Sequence, residues 1–428
     1  MKQTDITVIV TAHNEGLLAL RSLRSAKRSR VFAERGGRQV ETLIVLDSGS
    51  DATRALLQAY PDLYDRIVDI NCCDAALARN EGVKQATGKY VAFLDADDLF
   101  SENWLLAAYD LAEKSRSQGK TPVLHPALNY EFGVDPVKFG FYFDPDQEGK
   151  MIAPRMLKEN LWSALSFTAR EVLLNIPIPA CPRGSGFGFE DWSWNCETLA
   201  HGFEPKLVPM TVHFIRRKKQ SRNIEQLADR AIVGPTSLFD DASLFENLPL
   251  REKTRLGNYF RQALSYWLQG FYYLFYRPLA VLGLYRGREY IPHSRWVEVP
   301  NWVLDEMAQV SAIEPELLPK SDKKPYALVL DPLPVTFASA YGRLLRIWEG
   351  GTFKNVILVG KAEQNVKAIV SRLEGPVLLV IDGCSNGSDA SIFPAFVKTI
   401  YLGDVPGLLS EDVSSVLVRL LIQKHPAN

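Results

Sequence analysis

Two periods of hydrophobicity alternate through the first hundred residues. Ile6–Val10 is a short unbroken apolar run rich in β-branched residues, and Glu15–Ser29 then carries Leu17, Leu20 and Leu23 at helical spacing. The pair of patterns recurs. Thr42–Leu46, Ile67–Ile70 and Tyr90–Leu94 read as strands, Ala52–Tyr60 and Ala75–Ala86 as helices, the latter stopped at Gly88. Continuous apolar strands separated by helices predict a parallel sheet covered on both faces. Ligands of such sheets bind at the carboxyl ends of the strands, so the polar residues that follow each strand are where chemistry is expected.

The pattern then changes. Residues 120–215 are irregular, rich in Pro, Phe and Trp, and hold a glycine-rich loop at Arg183–Gly188 and an expected edge strand at Leu207–Val212. A basic stretch, Arg216–Arg222, follows. Residues 225–320 read as mostly helical. Within them Ala263–Tyr276 is uncharged and strongly aromatic, with Arg261 and Arg277 at its ends. It is shorter than the ~18–20 residues that cross a bilayer. It reads either as a buried core helix or as a helix lying on a membrane surface, where Tyr and Trp suit the interface and the surrounding arginines suit anionic headgroups. Beyond a polar linker, Pro315–Pro325, alternation returns. Strands are expected at Tyr326–Leu330, Asn355–Val359, Pro376–Ile381 and Val397–Leu402, and helices at Ala338–Trp348, Ala362–Leu373 and Ser410–Gln423.

Composition narrows this picture. The 428 residues are 46% hydrophobic and 23% charged, enough for a large core and ordinary for a globular chain of two or three domains. A net charge of −1 provides no field that would gather nucleic acid, and no nucleic-acid partner is expected. The five cysteines form no C-x-x-C pair, so neither a disulfide framework nor a structural zinc site is expected, and reduced thiols in the cytoplasm fit best. Asp5 directly precedes an apolar run too short for a signal peptide.

The sharpest chemical signal is Asp95-Ala96-Asp97-Asp98, directly after the strand Tyr90–Leu94. Carboxylates crowded at the end of a buried strand repel one another, and a divalent cation is the usual means of keeping them ionised. Mn2+ or Mg2+ held this way keeps positions open for phosphate oxygens. Around this cluster the run Ala78–Asp98 (ARNEGVKQATGKYVAFLDADD) closely resembles the central block of family 2 glycosyltransferases with the GT-A fold. Val8–Glu15 (VIVTAHNE) and Val45–Thr53 (VLDSGSDAT) resemble the first- and second-strand blocks of that family, in the same order, so that the resemblance covers residues 5–225. It implies a nucleotide-sugar donor. By it, Asp47 would bond the base, Arg79 the base or diphosphate, and Asp95 the ribose or sugar, Asp97 would ligate the metal with Asp95 beside it, and Thr11 and Glu15 would line the nucleotide pocket. Leu46 and His13 depart from the family's pattern, and with them the base contacts. Without the resemblance, Asp47 reads as a helix cap and Arg79 as a surface ion pair.

A second acidic pair, Glu190-Asp191, sits among Phe187, Phe189, Trp192 and Trp194. Inverting transfer needs a base for the attacking hydroxyl, and a carboxylate in aromatic surroundings has its pKa pushed towards operating pH. The block resembles the family's Glu-Asp motif, which implies Asp191 as the general base, with Glu190 positioning an acceptor bounded by Phe187, Phe189 and Trp192. The alternative is that the pair simply opens the helix Trp192–Leu199. In the basic loop, Arg216, Arg217, Lys218 and Lys219 read either as neutralisers of a diphosphate or as a solvated basic face. His213 reads either as a third metal ligand, as in several GT-A enzymes, or as a histidine with satisfied hydrogen bonds. Lys218 stands where many relatives carry a histidine.

The expected architecture is therefore α/β. A GT-A nucleotide-diphospho-sugar transferase domain would span residues 1–225, a mostly helical extension 226–320, and a small α/β domain 321–428. The expected function is metal-dependent, inverting transfer from a nucleotide-sugar, UDP-linked by analogy, to a saccharide or glycolipid acceptor in surface polysaccharide synthesis. It would take place in the cytoplasm, with peripheral membrane association as the sharper reading of Ala263–Tyr276. Two rivals remain. A sugar nucleotidyltransferase would need a glycine-rich first loop, which VIVTAHNEG (residues 8–16) is not. A degenerate transferase serving as a scaffold would not need Asp95, Asp97 and Asp191.

Overall fold

The computed structural model describes residues 3–133, 138–142, 145–148, 151–218, 221–228, 231–245, 296–298, 301–317, 326–328, 338–339, 341–342, 345–346, 355–359, 377–381, 397–401 and 423. Strands β1 (Ile6–Ala12), β2 (Val40–Asp47), β3 (Arg66–Ile70) and β4 (Tyr90–Asp95) alternate with helices α1 (Leu17–Arg35), α2 (Asp51–Gln58) and α3 (Ala75–Gln85). The strands lie side by side in the order β3-β2-β1-β4, all parallel.

The apolar runs of β1, β2 and β4 follow from their position, whereas the edge strand β3 keeps Arg66 and Asp69 exposed. Ile6, Val8 and Val10 point into one core, with Leu20, Leu23 and Trp104, while Ile9, Val45 and Phe93 point into the other, with Ala78 and Val83 of α3. A strand with two dry faces needs apolar residues at every position, and each large side chain so buried contributes about 1.5–3 kcal/mol. Gly82 lets α3 lie close on the sheet: a Cβ there would come within 2.6 Å of Ile9 Cγ2. The helices start on side-chain caps. Ser50 accepts from the Thr53 amide, and Asp74 from those of Ala76 and Leu77.

Past β4 the sheet becomes mixed. The two-residue β5 (Leu99–Phe100) and α4 (Trp104–Ser117) lead into β6 (Pro122–Phe132), β7 (Lys138–Phe141) and β8 (Phe167–Ala169), and later to β9 (Glu204–Arg216). Short helices α5 (Pro145–Glu148), α6 (Ile152–Met156), α7 (Arg170–Asn175), α8 (Glu190–Ala200) and α9 (Arg222–Ala228) fill the irregular region. Strand β8 pairs antiparallel with β4, and β9 runs parallel to β6 along most of its length. The strand expected at the edge, Leu207–Val212, pairs with β6, and β5 pairs with the two residues that follow it, His213 and Phe214.

Helix α10 (Asn301–Val310) docks on this half of the sheet. Its Val303, Met307 and Val310, with Leu317, share a core with Leu128, Tyr130, Phe132 and Phe214. Arg28–Glu306 (2.9 Å) and Arg21–Glu314 (2.7 Å) tie the same segment to α1. Strand β10 (Trp296–Glu298) pairs with β11 (Tyr326–Leu328), and β11 with β7. So Tyr326–Leu328, expected in the C-terminal unit, extends the large sheet instead. Strands β12 (Asn355–Val359), β13 (Val377–Ile381) and β14 (Val397–Tyr401) form a separate three-stranded parallel sheet. The aromatic segment Ala263–Tyr276 and the expected helix Ala362–Leu373 lie outside the described residues, as does all of Ser410–Gln423 except Gln423. Among the described residues no helix is long and apolar enough to cross a membrane.

Candidate active site

Parallel pairing sets Thr11 of β1 level with Asp95 of β4. The Thr11 hydroxyl donates to Asp95 Oδ1 at 2.9 Å, and the Ala96 amide donates to the Thr11 carbonyl at 3.0 Å. Arg79 reaches up from α3 and is 3% exposed. One arm of its guanidinium donates to Asp95 Oδ1 (2.7 Å) and another to Glu190 Oε1 (3.0 Å). A single cation therefore joins the two acidic blocks that the sequence separates by about a hundred residues. Burial works against the charge on Arg79 and on Asp95. The attraction outweighs it, raising the Arg79 pKa and holding the Asp95 carboxyl below the usual carboxylate range.

The remaining carboxylates of the first block diverge. Asp98 turns inward: Oδ1 accepts from the Arg216 amide (2.8 Å) and Oδ2 meets His213 Nε2 (2.9 Å). The other ring nitrogen of His213 lies 3.0 Å from Ser163 Oγ, so both nitrogens are engaged away from Asp97. Asp97 turns outward, to Lys218 Nζ at 2.6 Å. Burial and the neighbouring Asp98 push its pKa up to about 7 against the pull of Lys218.

At the end of β2, Asp47 is 7% exposed and accepts from the amides of Cys72, Cys73 and Asp74 and from Ser48 Oγ. Burial opposes its charge, but those amides hold its pKa below the ordinary value. Its carboxylate fastens the loop after β3 to the end of β2, which requires left-handed backbone at Ser48 (φ 53) and Cys73 (φ 51). Glu15 accepts from the His13 amide at 2.6 Å, and His13 Nδ1 lies 2.5 Å from the Asp47 carbonyl, so the first and second loops are knitted together.

The second block opens α8. Phe189 adopts the left-handed conformation (φ 59) at its N-cap, preceded by a loop whose Gly188 amide donates to the Ile232 carbonyl. Glu190 and Asp191 then occupy the first turn, where the helix dipole favours anions. Among the described residues Asp191 accepts from neutral donors, Asn160 Nδ2 (2.9 Å) and the Trp192 amide (2.9 Å). Burial first, then Glu190, push its pKa up to about 7, with Arg79 opposing. The Phe189 and Trp192 rings stand 6.1 Å apart, and Trp192 Nε1 donates to the Met156 carbonyl. Phe187 is half-buried in the loop before them.

The basic loop is placed less uniformly than its composition implies. Arg216 is 9% exposed and committed to Glu314 and to Glu316 (2.6 Å), with its guanidinium 4.6 Å from the centroid of the Phe132 ring. Arg217 pairs with Glu131. Lys219 lies outside the described residues. Asn160, Ser163 and Glu314 carry no motif signal in the sequence. Each acts through a contact with a distant residue in an irregular or helical segment.

Residues 7–124 match the model of Glycosyl transferase family 2. Over 119 residues the chain is 33% identical to the succinoglycan biosynthesis protein ExoO of Rhizobium meliloti, covering 27% of this chain and 32% of that protein. Over 124 residues it is 27% identical to the amylovoran biosynthesis glycosyltransferase AmsB of Erwinia amylovora, covering 28% and 39%. The match thus spans between about a third and two-fifths of each relative's length. Among solved structures, S. aureus TarS 1–349 in complex with UDP-GlcNAc aligns over 80% of this chain and 87% of that one, at 15% identity and a TM-score of 0.42. Apart from Ile6, the parallel β3-β2-β1-β4 sheet and its acidic strand end lie within residues 7–124, the stretch that matches the family 2 glycosyltransferase model, and the fold is GT-A-like.

Proposed function

We propose that the chain is an inverting glycosyltransferase of polysaccharide biosynthesis that moves a sugar from a UDP-sugar to a saccharide or glycolipid acceptor. The observation that carries this reading is Arg79. It links Asp95, at the carboxyl end of the parallel strands, to Glu190, the residue before Asp191. The donor side and a carboxylate able to take up a proton near neutral pH are thereby parts of one construction.

Asp191 accepts the proton of the attacking acceptor hydroxyl as the new glycosidic C–O bond forms. On the opposite face of the anomeric carbon the C–O bond to the diphosphate breaks, and the nucleoside diphosphate leaves with the electron pair. Asn160 and the Trp192 amide hold Asp191 in place, Glu190, anchored by Arg79, positions the acceptor, and the rings of Phe187, Phe189 and Trp192 bound it. Polysaccharide as the product class is supported by the names of the relatives, succinoglycan and amylovoran biosynthesis proteins.

The carboxylate oxygens of Asp97 and Asp95 fit a hard divalent cation, Mn2+ or Mg2+. Among the described residues no group of three ligating side chains converges. That suits an ion held by one or two carboxylates that completes its shell with phosphate oxygens and water. Such a cation would supply charge to the departing diphosphate. His213, whose nitrogens serve Asp98 and Ser163, is left out of this ligand set.

The test is calorimetric titration of UDP, GDP and dTDP, each with and without Mn2+, into the wild type and Asp97→Ala. Metal-dependent binding of UDP, lost in the variant, is the expected result. Absence of any nucleotide binding by the folded protein would overturn the reading and leave a scaffold.

A further inference from the structure

The three carboxylates that follow β4 are not equally available. Asp95 is held by Arg79 and Thr11, both fixed in secondary structure. Asp98 is held by His213 and by the Arg216 amide within β9. Only Asp97 has as its partner a side chain on a loop, the Lys218 ammonium at 2.6 Å. The backbone before Lys218 is anchored twice. The Arg217 amide donates to the Phe132 carbonyl (2.7 Å), and Arg216 is clamped by Glu314 and Glu316. Lys218 is thus a tethered cation on a fixed base, its side chain 34% exposed, set against the one carboxylate of the cluster whose charged partner lies on a loop.

We infer that Lys218 is an internal counter-ion which holds Asp97 in the empty site, yields it to the divalent cation, and transfers its own charge to the donor's diphosphate. This deepens the donor-site reading above and rests on it. An ammonium and a divalent cation on the two oxygens of one carboxylate repel each other and share its single negative charge. A metal arriving alone must therefore loosen Lys218 from Asp97. A metal arriving with a nucleoside diphosphate gives Lys218 a new anionic partner, so the loss is made good. Metal and nucleotide then bind cooperatively, and by linkage each strengthens the other by the same factor. The arrangement keeps the carboxylate cluster neutralised between turnovers without a resident ion. It also makes Lys218 a residue that selects diphosphate-bearing ligands over nucleosides.

The inference is tested on the full chain by measuring Mn2+ affinity with electron paramagnetic resonance, with and without UDP, for wild type, Lys218→Gln and Lys218→Arg. In the absence of UDP, Lys218→Gln is expected to bind Mn2+ roughly two- to fivefold more tightly, the size set by releasing one partly exposed ion pair. The cooperativity between Mn2+ and UDP should shrink by a similar factor. Lys218→Arg, which can still bridge to Asp97, should restore weak Mn2+ binding and cooperativity. Melting curves of the variants establish that each is folded. Unchanged Mn2+ affinity in Lys218→Gln, or Mn2+ undetectable in both proteins, overturns the role of Lys218. The metal-only arm needs no nucleotide, so it reads independently of the donor site. UDP binding that is absent in the wild type strikes at the donor reading itself. UDP binding that is present, with Lys218→Gln like wild type, removes Lys218 alone.

Discussion

The two acidic blocks of this site use the same residue types and are kept in place by different forces. After β4, Asp95, Asp97 and Asp98 meet Arg79, Lys218 and His213. At the start of α8, Asp191 meets an asparagine amide and a backbone amide, both neutral. The helix turn that presents it is set by an aromatic residue in left-handed backbone, Phe189. The contrast maps onto two tasks. A block that must gather cations and phosphate needs charges nearby that can be exchanged. A block that must take up and release one proton needs an environment that leaves its carboxylate close to balance at neutral pH. Arg79 belongs to both, with one arm on each.

The largest effect is therefore expected from breaking that link. Arg79→Met leaves Asp95 and Glu190 facing each other without their shared cation. Removing one partner of a buried ion pair typically costs several kcal/mol, and partial exposure of Asp95 places this case at about 3 kcal/mol. A urea unfolding curve measures it. A loss below about 1 kcal/mol, the worth of an ordinary surface pair, would show that the two blocks stand independently. Next in size is Asp191→Asn, which is expected to keep nucleotide affinity and lower the transfer rate by roughly a hundredfold or more. Nucleotide affinity lost together with rate would mean that the second block serves the donor as well, and the division of labour would fail.

How much of this was legible beforehand depends on how local each feature is. Strands β1, β2 and β4 could be read because each holds a run of adjacent apolar residues, and the two-faced burial that explains the run acts on every residue in it. Asp95–Asp98 and Glu190-Asp191 could be read as clusters for the same reason. Their partners could not. Arg79 contacts Glu190 at a separation of 111 residues, and Arg216 contacts Glu314 at 98. Nothing in the neighbourhood of Arg216 distinguishes an arginine that is locked to a distant buried glutamate from one free for a diphosphate. Likewise Tyr326–Leu328 has a correct strand pattern, but pattern alone does not say which sheet a strand joins.

The pH dependence sharpens the comparison at smaller amplitude. Asp191 acts as a base only when ionised, and its pKa is pushed up to about 7. The kcat/KM profile should be level above that pH and fall by about tenfold per unit below it, the slope of a single titrating base. Since the charge of Glu190 is one of the causes that raise Asp191, Glu190→Gln should move the acid limb to lower pH. An acid limb that stays in place in Glu190→Gln would assign it to another group.

The smallest effect concerns the backbone that holds the second block. Phe189 and Met210 both lie in the left-handed region, at φ 59 and φ 56. For a residue with a side chain this conformation costs about 1–2 kcal/mol. Met210 sits in β9 opposite the register irregularity of β6, and its side chain is 57% exposed. Met210→Gly should recover part of that cost, a net gain of about 0.5–1 kcal/mol once the flexibility of glycine in the unfolded chain is counted, with transfer unchanged. Phe189→Gly relieves the same backbone but removes the ring that faces Trp192. Its stability gain should be smaller, while the acceptor KM rises and nucleotide affinity holds. Melting temperatures and acceptor saturation curves for the pair separate the two cases. Equal stabilisation of both variants, with acceptor KM unmoved in Phe189→Gly, would mean that the left-handed turn before Asp191 is strain tolerated by the fold and has no part in presenting the base.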